Sequence, residues 1–270
     1  MARPGTYFDT LPAEAISEEL APVIEALGLT ENCRQLAMEG WTVIENPADD
    51  EFNARLRAQI LKDAPKGGAS MLLAGDRVYA EAVLNPKLMA LAEFSVGRGH
   101  LISQVAASVR KMGEPRLGLH ADHNWLPAPF PEHNMLLTAC WACDDYTAEN
   151  GATEIIPGSA NLRRHPNQEE VTAMAGAIPI ECGAGSVAVW DGNIWHASGE
   201  RKNPGERVVC HITYTRLMMR QVEDYRDHEQ RLIQEHGAAM AGLLGHNDGL
   251  FKPNGFDYSK IVQTFNNAKR

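Results

Sequence analysis

The sequence predicts a mainly β fold with flanking helices: a double-stranded β-helix (jelly roll, cupin-like) core, with N- and C-terminal helices packed outside it. Two patterns carry this reading. From about residue 100 to 216 the chain is a succession of short β-rich runs separated by Gly, Pro, Asn and Asp, as in a sandwich or barrel. On either side of that stretch, apolar residues recur at helical spacing. A third observation sets the scale: 270 residues, 44% hydrophobic and 22% charged, with no repeat or low-complexity tract, suit one core. We therefore expect a single domain over 1–270, with a helical N-terminal region 1–99, a β-core at about 100–216 and a helical C-terminal region 217–270.

The elements follow in order. Ile16, Leu20, Val23, Ile24 and Leu27 mark a first helix, and Thr30 is placed to cap a second that ends near Gly40. Trp41-Thr-Val-Ile44 is β-branched and extended in character. Phe52, Leu56, Ile60 and Leu61 mark another helix, and one more follows Pro86, buries Leu88, Leu91 and Phe94 and ends near Gly97. Strands are expected at 101–110, 117–122, 135–144, 153–157, 178–182, 186–190, 194–197 and 207–215, and eight short strands suggest a jelly roll. Asn150-Gly151 is the strongest hairpin signal, with further turns at Pro157-Gly158 and Gly183-Ala-Gly185. Helical spacing returns after Arg216, in Val222, Tyr225, Leu232, Ile233, Met240 and Leu243.

Composition narrows the function. A net charge of −10 and a pI near 5.5 repel a phosphate backbone, which argues against nucleic acid. No apolar run approaches a membrane span, and the first residues lack a signal-peptide plan. The expected partner is a small-molecule substrate, in a cytoplasmic protein that is a monomer or a homodimer. Five cysteines do not make a secreted disulfide framework. Cys140 and Cys143 form a CxxC, but three steps along a strand put them on opposite faces, so core packing is the better reading of both.

His120-Ala-Asp122 carries the chemistry. At the end of a strand, residues two apart share a face, so the imidazole and the carboxylate can reach one ion. His196 completes two His and one carboxylate, a set that favours iron(II) and leaves positions for a chelating cosubstrate and O2. The HxD motif alone is weak; His246-Asn-Asp248 also fits it, but that copy lies outside the β-region with no later histidine, and reads as an exposed loop. Residues 194–197 and 207–215 flank the turn-rich 199–205 stretch and are expected to pair as a hairpin, with Arg207 beside His196. In the last strand Val208, Cys210, Ile212 and Tyr214 make one face apolar, while Arg207, His211, Thr213 and Thr215 make the other polar and cavity-lining. A fixed guanidinium there suits the far carboxylate of 2-oxoglutarate, and Ser198 offers a hydroxyl.

With those residues in view, the segment from about 117 to 216 resembles the phytanoyl-CoA dioxygenase family of iron(II)/2-oxoglutarate-dependent oxygenases. The resemblance rests on His120-Ala-Asp122, Trp141 before Asp144-Asp145, Glu149-Asn-Gly151, Pro157-Gly-Ser159 and His196-Ala-Ser198 with Arg207. The C-terminal Arg220-Gln-Val-Glu223 and Leu243-Leu-Gly-His246 are similar to small-molecule members. The resemblance implies that His120, Asp122 and His196 bind iron, that Arg207 and Ser198 hold the cosubstrate's distal carboxylate, and that Trp141 walls its pocket. It implies hydroxylation of a C–H bond with release of succinate and CO2; desaturation, epimerisation or ring formation in secondary metabolism is the alternative outcome. Ala121 and Ala160 depart from residues that are often polar in the family. Asp122 separates the chain from related halogenases.

Plainer readings stand beside these. His211 reads as a hydrogen-bonded cavity residue rather than a fourth ligand. His123 and His133 are substrate contacts or exposed loop residues, and Trp125 and Phe130 are a lid or a stiff turn. Arg163, Arg164, Arg201 and Lys202 read as scattered surface cations. The rival functions are a non-catalytic jelly roll that binds a metal or small ligand, for which Arg207 has no use, and a zinc hydrolase, whose helical HExxH signature is absent.

Overall fold

The computed structural model describes residues 15–246, 248–250, 255 and 257–261. Short helices α1 (Ala21–Ala26) and α2 (Thr30–Glu39) lead into strand β1 (Trp41–Ile44). Gly40 ends α2 with φ of 81°, a left-handed turn that a side chain would strain. Thr30 begins α2 but does not cap it; the cap position is Leu29, without a side-chain bond. Helix α3 (Asp50–Asp63) is capped by Asp49, which accepts from the Phe52 N–H. A two-residue strand β2 (Gly68–Ala69) and helix α4 (Arg77–Val83), neither visible in the sequence pattern, precede α5 (Pro86–Val96). Helix α5 starts as proline at its first turn dictates, with the Asn85 side chain accepting from Lys87 and Leu88.

The β-core then runs through β3 (Leu101–Lys111), β4 (Leu136–Ala142), β5 (Thr153–Ile155), a short helix α6 (Gln168–Ala173), β6 (Ile178–Pro179), β7 (Val187–Asp191), β8 (His196–Ser198) and β9 (Glu206–Thr215). Helix α7 (Glu229–Leu243) follows β9 and breaks at Gly237, whose φ of 75° interrupts the helix. All strand pairs are antiparallel, in a larger sheet ordered β1-β7-β4-β9-β3-β2 and a smaller one ordered β6-β5-β8. One face of the larger sheet merges with the helices in a continuous core that includes Leu56, Leu91, Val105, Ile212, Tyr214 and Leu232. The other face looks across a cavity toward the smaller sheet, and this arrangement leaves room for a site.

Three pairings differ from the expectation. Residues 117–122 form no regular strand; they run as a loop with one isolated bridge, His120 to His196. Asn150-Gly151 does not turn a hairpin, because β4 and β5 belong to different sheets. Strands β8 and β9 likewise belong to different sheets: β8 pairs with β5, and β9 lies between β4 and β3. Chain crossover between the two layers is what a jelly roll requires, and it overrides nearest-neighbour pairing. The cysteines are unpaired, with Cys140 and Cys143 on opposite faces of the sheet as the spacing predicts.

Candidate metal centre

Three side chains from the loop before β4 and from β8 converge. The ligand atoms of His120, Asp122 and His196 all lie within 4.8 Å of one another, and this is the one such group among the described residues. The backbone sets the convergence: His120 and His196 exchange both of their N–H···O bonds, at 3.0 and 2.8 Å, and the Asp122 N–H donates to the Gly192 carbonyl at 3.0 Å. Gly192 is required by this approach. A Cβ there would sit 2.4 Å from a carbon of the His123 ring and 2.9 Å from the Leu136 carbonyl.

Each ligand is also aimed. Nδ1 of His120 lies 2.8 Å from the Gly118 carbonyl, and Nδ1 of His196 lies 3.2 Å from that of Ile194. Those carbonyls can only accept, so the proton sits on Nδ1 and each Nε2 lone pair faces Asp122, whose Oδ1 is 3.7 and 3.4 Å away. The other oxygen is occupied: Oδ2 of Asp122 accepts from Thr138 Oγ1 at 2.8 Å and from Trp190 Nε1 at 3.2 Å. Burial alone raises the Asp122 carboxyl, but the two imidazoles and the Thr138 hydroxyl outweigh it and hold it below the usual carboxylate range. Burial, then the neighbouring His196, pushes His120 below the usual imidazole range. For His196 burial works downward too, yet the Asp122 charge and hydrogen bond raise it. An anionic carboxylate with two oriented imidazoles is a donor set that fits iron(II), and three protein ligands would leave further positions on such an ion free.

The centre opens into a cavity of about 710 Å³ between the sheets. Strand β9 sends Arg207, His211 and Thr213 into it, while Val208, Cys210, Ile212 and Tyr214 face the helix-side core, as alternation predicts. Arg207 is 3% exposed. Its Nη1 donates to the Gly151 carbonyl at 2.7 Å, and its guanidinium carbon lies 4.9 Å from the centre of the Tyr146 ring. Its buried Nε has no hydrogen-bond partner, an orphaned donor that a carboxylate would satisfy. Although β8 and β9 do not pair, Arg207 and His196 line the same cavity from opposite walls. Ser198 also lines it; its Oγ accepts from Arg110 Nη2 at 2.7 Å and from the Leu117 N–H at 2.6 Å. His211 is held by Ser108, 3.4 Å from Nε2, and burial followed by the Arg207 charge pushes it down to about 4.

Other expected residues fall elsewhere. Trp141 does not wall the cavity: it lies on the opposite face of β4, in the helix-side core, with its ring 5.0 Å from that of Phe52. Alternation decides this, since Leu136 and Thr138 line the cavity and Trp141, an odd step away, must face the helices. His123 is neither a substrate contact nor an exposed loop residue; it is buried against Phe130. Phe130 is no lid, because it is fully buried in a small cluster with Leu119, Ala121 and Trp195. Ala121 thus points away from the cavity. Trp125 is 83% exposed and does line the mouth, whereas His133 is half-buried and lies off the lining. Arg163, Arg164 and Arg201 are structural: Arg163 donates to the Phe130 carbonyl, Arg164 grips Glu170 through both nitrogens, and Arg201 binds Asn150. Of the second HxD, Asn247 lies outside the described residues, and His246 pairs with Glu229 at 2.7 Å. Gln104, Ser108 and Arg110 of β3 also line the cavity; alternation in 101–111 is the signal that marks them.

Comparison with known proteins agrees with this architecture. Residues 27–209 match the family model described as "Phytanoyl-CoA dioxygenase (PhyH)". The chain is 30% identical over 164 residues to "Dioxygenase af480" of Aspergillus fumigatus, covering 59% of this chain and 52% of that protein. It is 25% identical over 187 residues to "Dioxygenase olcK" of Penicillium canescens, covering 64% and 59%. The chain spans about half the length of the first of these curated relatives. Among solved structures, HygX from Streptomyces hygroscopicus, with nickel and 2-oxoglutarate bound, superposes with a TM-score of 0.59 at 14% identity, covering 77% of this chain and 89% of that one. That likeness is one of fold. A family match over most of the chain, together with the two-sheet architecture, establishes that this chain belongs to the phytanoyl-CoA dioxygenase family.

Proposed function

We propose that this chain is an iron(II)- and 2-oxoglutarate-dependent dioxygenase that oxidises a C–H bond of a small organic molecule, by hydroxylation, with release of succinate and CO2. The observation that carries the reading is one cavity holding both the His120–Asp122–His196 donor set and the buried, under-satisfied Arg207. The names of the related dioxygenases and the 2-oxoglutarate bound to HygX support it.

Iron(II) bound there would supply O2 activation coupled to decarboxylation of the keto acid. The chain's own residues do the rest. His120, Asp122 and His196 would hold the ion, and Thr138 and Trp190 occupy Asp122 Oδ2 so that Oδ1 stays free for it. Arg207 receives the distal carboxylate of the cosubstrate through Nε, with Ser198 beside it. The mouth is flanked by Leu117, Trp125 and Val222, three exposed apolar side chains on the cavity wall, which suits a substrate that presents an apolar portion. Gln104 and Thr213 lie inside that mouth to orient its polar groups. The same machinery serves desaturation, epimerisation or ring closure, depending on where the substrate's C–H bond lies. Unpaired cysteines suit a cytoplasmic protein, and no described helix is long and apolar enough to cross a membrane.

The test is an anaerobic titration with iron(II) and 2-oxoglutarate, read by the visible charge-transfer band of the chelated keto acid. Arg207→Ala should raise the half-saturating 2-oxoglutarate concentration at least ~10-fold, as loss of a charged hydrogen bond does, while iron(II) affinity stays unchanged. Equal cosubstrate affinity in the variant would remove the basis of the reading.

A further inference from the structure

A second cavity, of about 380 Å³, shares no lining residue with the one at the metal centre. It lies where the last turn of α2 and the end of α5 meet the turn after β7. Leu36 and Phe94, both buried, give it an apolar floor. The rest is polar and short of positive charge. Glu39, Glu132 and Asp191 line it and form no ion pair among the described residues. Among those residues Arg163 is the one cation of the lining, and its Nε is committed to the Phe130 carbonyl. Helix α2 adds to the imbalance, because its C-terminal end carries partial negative charge and no basic residue in the last turn answers it.

Two groups in this cavity lack partners. The Asn193 side chain is 3% exposed, and its Oδ1 has no hydrogen bond, although a buried acceptor ordinarily finds one. Asp191 Oδ1 accepts from the Asn193 N–H at 2.6 Å, and no cation balances the carboxylate, an arrangement that is costly away from water. Both residues are fixed before any ligand arrives. The Asp191 N–H donates to the Gly40 carbonyl at 2.8 Å, and the Gly192 N–H between them donates to the Leu136 carbonyl at 2.8 Å. The missing partner is a positive charge that carries N–H donors. A bare metal ion fits poorly: among the described residues only His120, Asp122 and His196 bring their ligand atoms within 4.8 Å of one another, so the three carboxylates here are too far apart to share one ion. A molecule can span them, and the volume is that of a small-molecule site.

We propose that this cavity binds a small organic cation, a primary ammonium or guanidinium on an apolar body, whose N–H groups are donated to Asp191 and Asn193 while the body rests on Leu36 and Phe94. Glu132, exposed, and Glu39, half-buried, attract the charge from farther out. The site is separate from the iron and 2-oxoglutarate reading and stands whether or not that reading holds.

The experiment is a calorimetric titration of the full chain, loaded with manganese(II), with butylamine, butylguanidine, 1-butanol and magnesium(II) in turn. Wild type is compared with Asp191→Asn, with the double variant Glu39→Gln/Glu132→Gln, and with His196→Ala. Butylamine or butylguanidine should bind in the millimolar range, as suits so small a molecule, and the tighter of the two identifies the head group. Asp191→Asn should weaken that binding about tenfold, as one lost charged hydrogen bond does, with cooperative urea unfolding as the check that it folds. The double variant, altered at side chains in contact with solvent, should weaken it as well and lose its salt dependence; it decides the matter if Asp191→Asn does not fold. His196→Ala should bind the cation as wild type does, which places the site away from the metal centre. No binding of either cation up to about 10 mM, equal binding of 1-butanol, unchanged affinity in both acid variants, or loss of binding in His196→Ala would overturn the proposal. Magnesium(II) binding that Asp191→Asn abolishes, with neither organic cation bound, would make the cavity a metal site and overturn it too.

Discussion

Single side chains around the centre divide into those that face the ion and those that set its surroundings, and Asp191 belongs to the second group. At the end of β7 its Oδ1 accepts from the Asn193 N–H at 2.6 Å. Burial pushes the carboxyl up to about 7; the Asn193 N–H works against this, and the Asp122 charge adds to it. In the unfolded chain the group ionises near ~4. The folded state therefore binds more protons between about 4 and 7, and stability falls as pH rises through that window. Asp191→Asn keeps the acceptor and removes the titration. In metal-free protein the variant should gain about 1–3 kcal/mol relative to wild type between pH 5 and pH 8, a figure discounted for partial exposure. Urea unfolding at the two pH values measures it, and parallel curves for the two proteins would contradict it. The convergence of His120, Asp122 and His196 is legible in the sequence, because a short spacing and a later histidine suffice to suggest it. The place of Trp141 is not, because a motif residue takes its facing from strand parity, and parity at Trp141 points to Phe52.

Elements matter through where they cross. The ligand loop has no ladder of its own and is fastened at Gly192, where the Asp122 N–H meets the turn after β7. Gly192→Ala would drive a methyl group into His123 and the Leu136 carbonyl. Overpacking of this kind costs roughly 1–3 kcal/mol, and here it also displaces Asp122. Lower urea midpoints and weaker iron(II) binding are expected together; a variant that loses neither would show that the loop tolerates the crowding. Strands β3, β4, β7 and β9 are legible from apolar runs and turn residues, whereas their partners are not. The expected β8–β9 hairpin fails because a short turn-rich connection signals proximity in sequence, and here the chain uses it to change sheets. The C-terminal region gives a further case. Val222 and Tyr225 read as one helical face, yet Glu223 is buried between them, accepting from the Met71 and Val105 N–H groups and from the Tyr225 hydroxyl. That carboxylate ties the segment to β3 and leaves Val222 at the cavity mouth.

For the molecule as a whole, the ion would join what the hydrogen bonds hold only lightly. The smaller sheet has three short strands, and β8 meets the ligand loop through the isolated His120–His196 bridge and the bonds between Leu117 and Ser198. A divalent ion bound by both segments binds the folded state and not the unfolded chain. At a hundredfold excess over its dissociation constant it adds about 2.7 kcal/mol, or roughly 5–10 °C in melting temperature for a chain of this size. Nickel(II) or manganese(II) avoids oxidation in the measurement, and a chelator should reverse the gain. His196→Ala should lose the shift; a variant that keeps it would place the ion elsewhere. The fold class is legible at this scale because β-rich runs between helical flanks leave few architectures. The cavity is not, since it arises from the separation of two sheets whose pairing the sequence does not declare.

The clamp on Arg207 makes the pocket a ruler. With one nitrogen fixed to a carbonyl and the plane pinned beside the Tyr146 ring, the guanidinium cannot advance or retreat to suit its guest. On the proposed cosubstrate reading, dicarboxylic keto acids would thereby be sorted by chain length: one methylene fewer would fall short of the grip, and one more would have to buckle to fit between the two anchored ends.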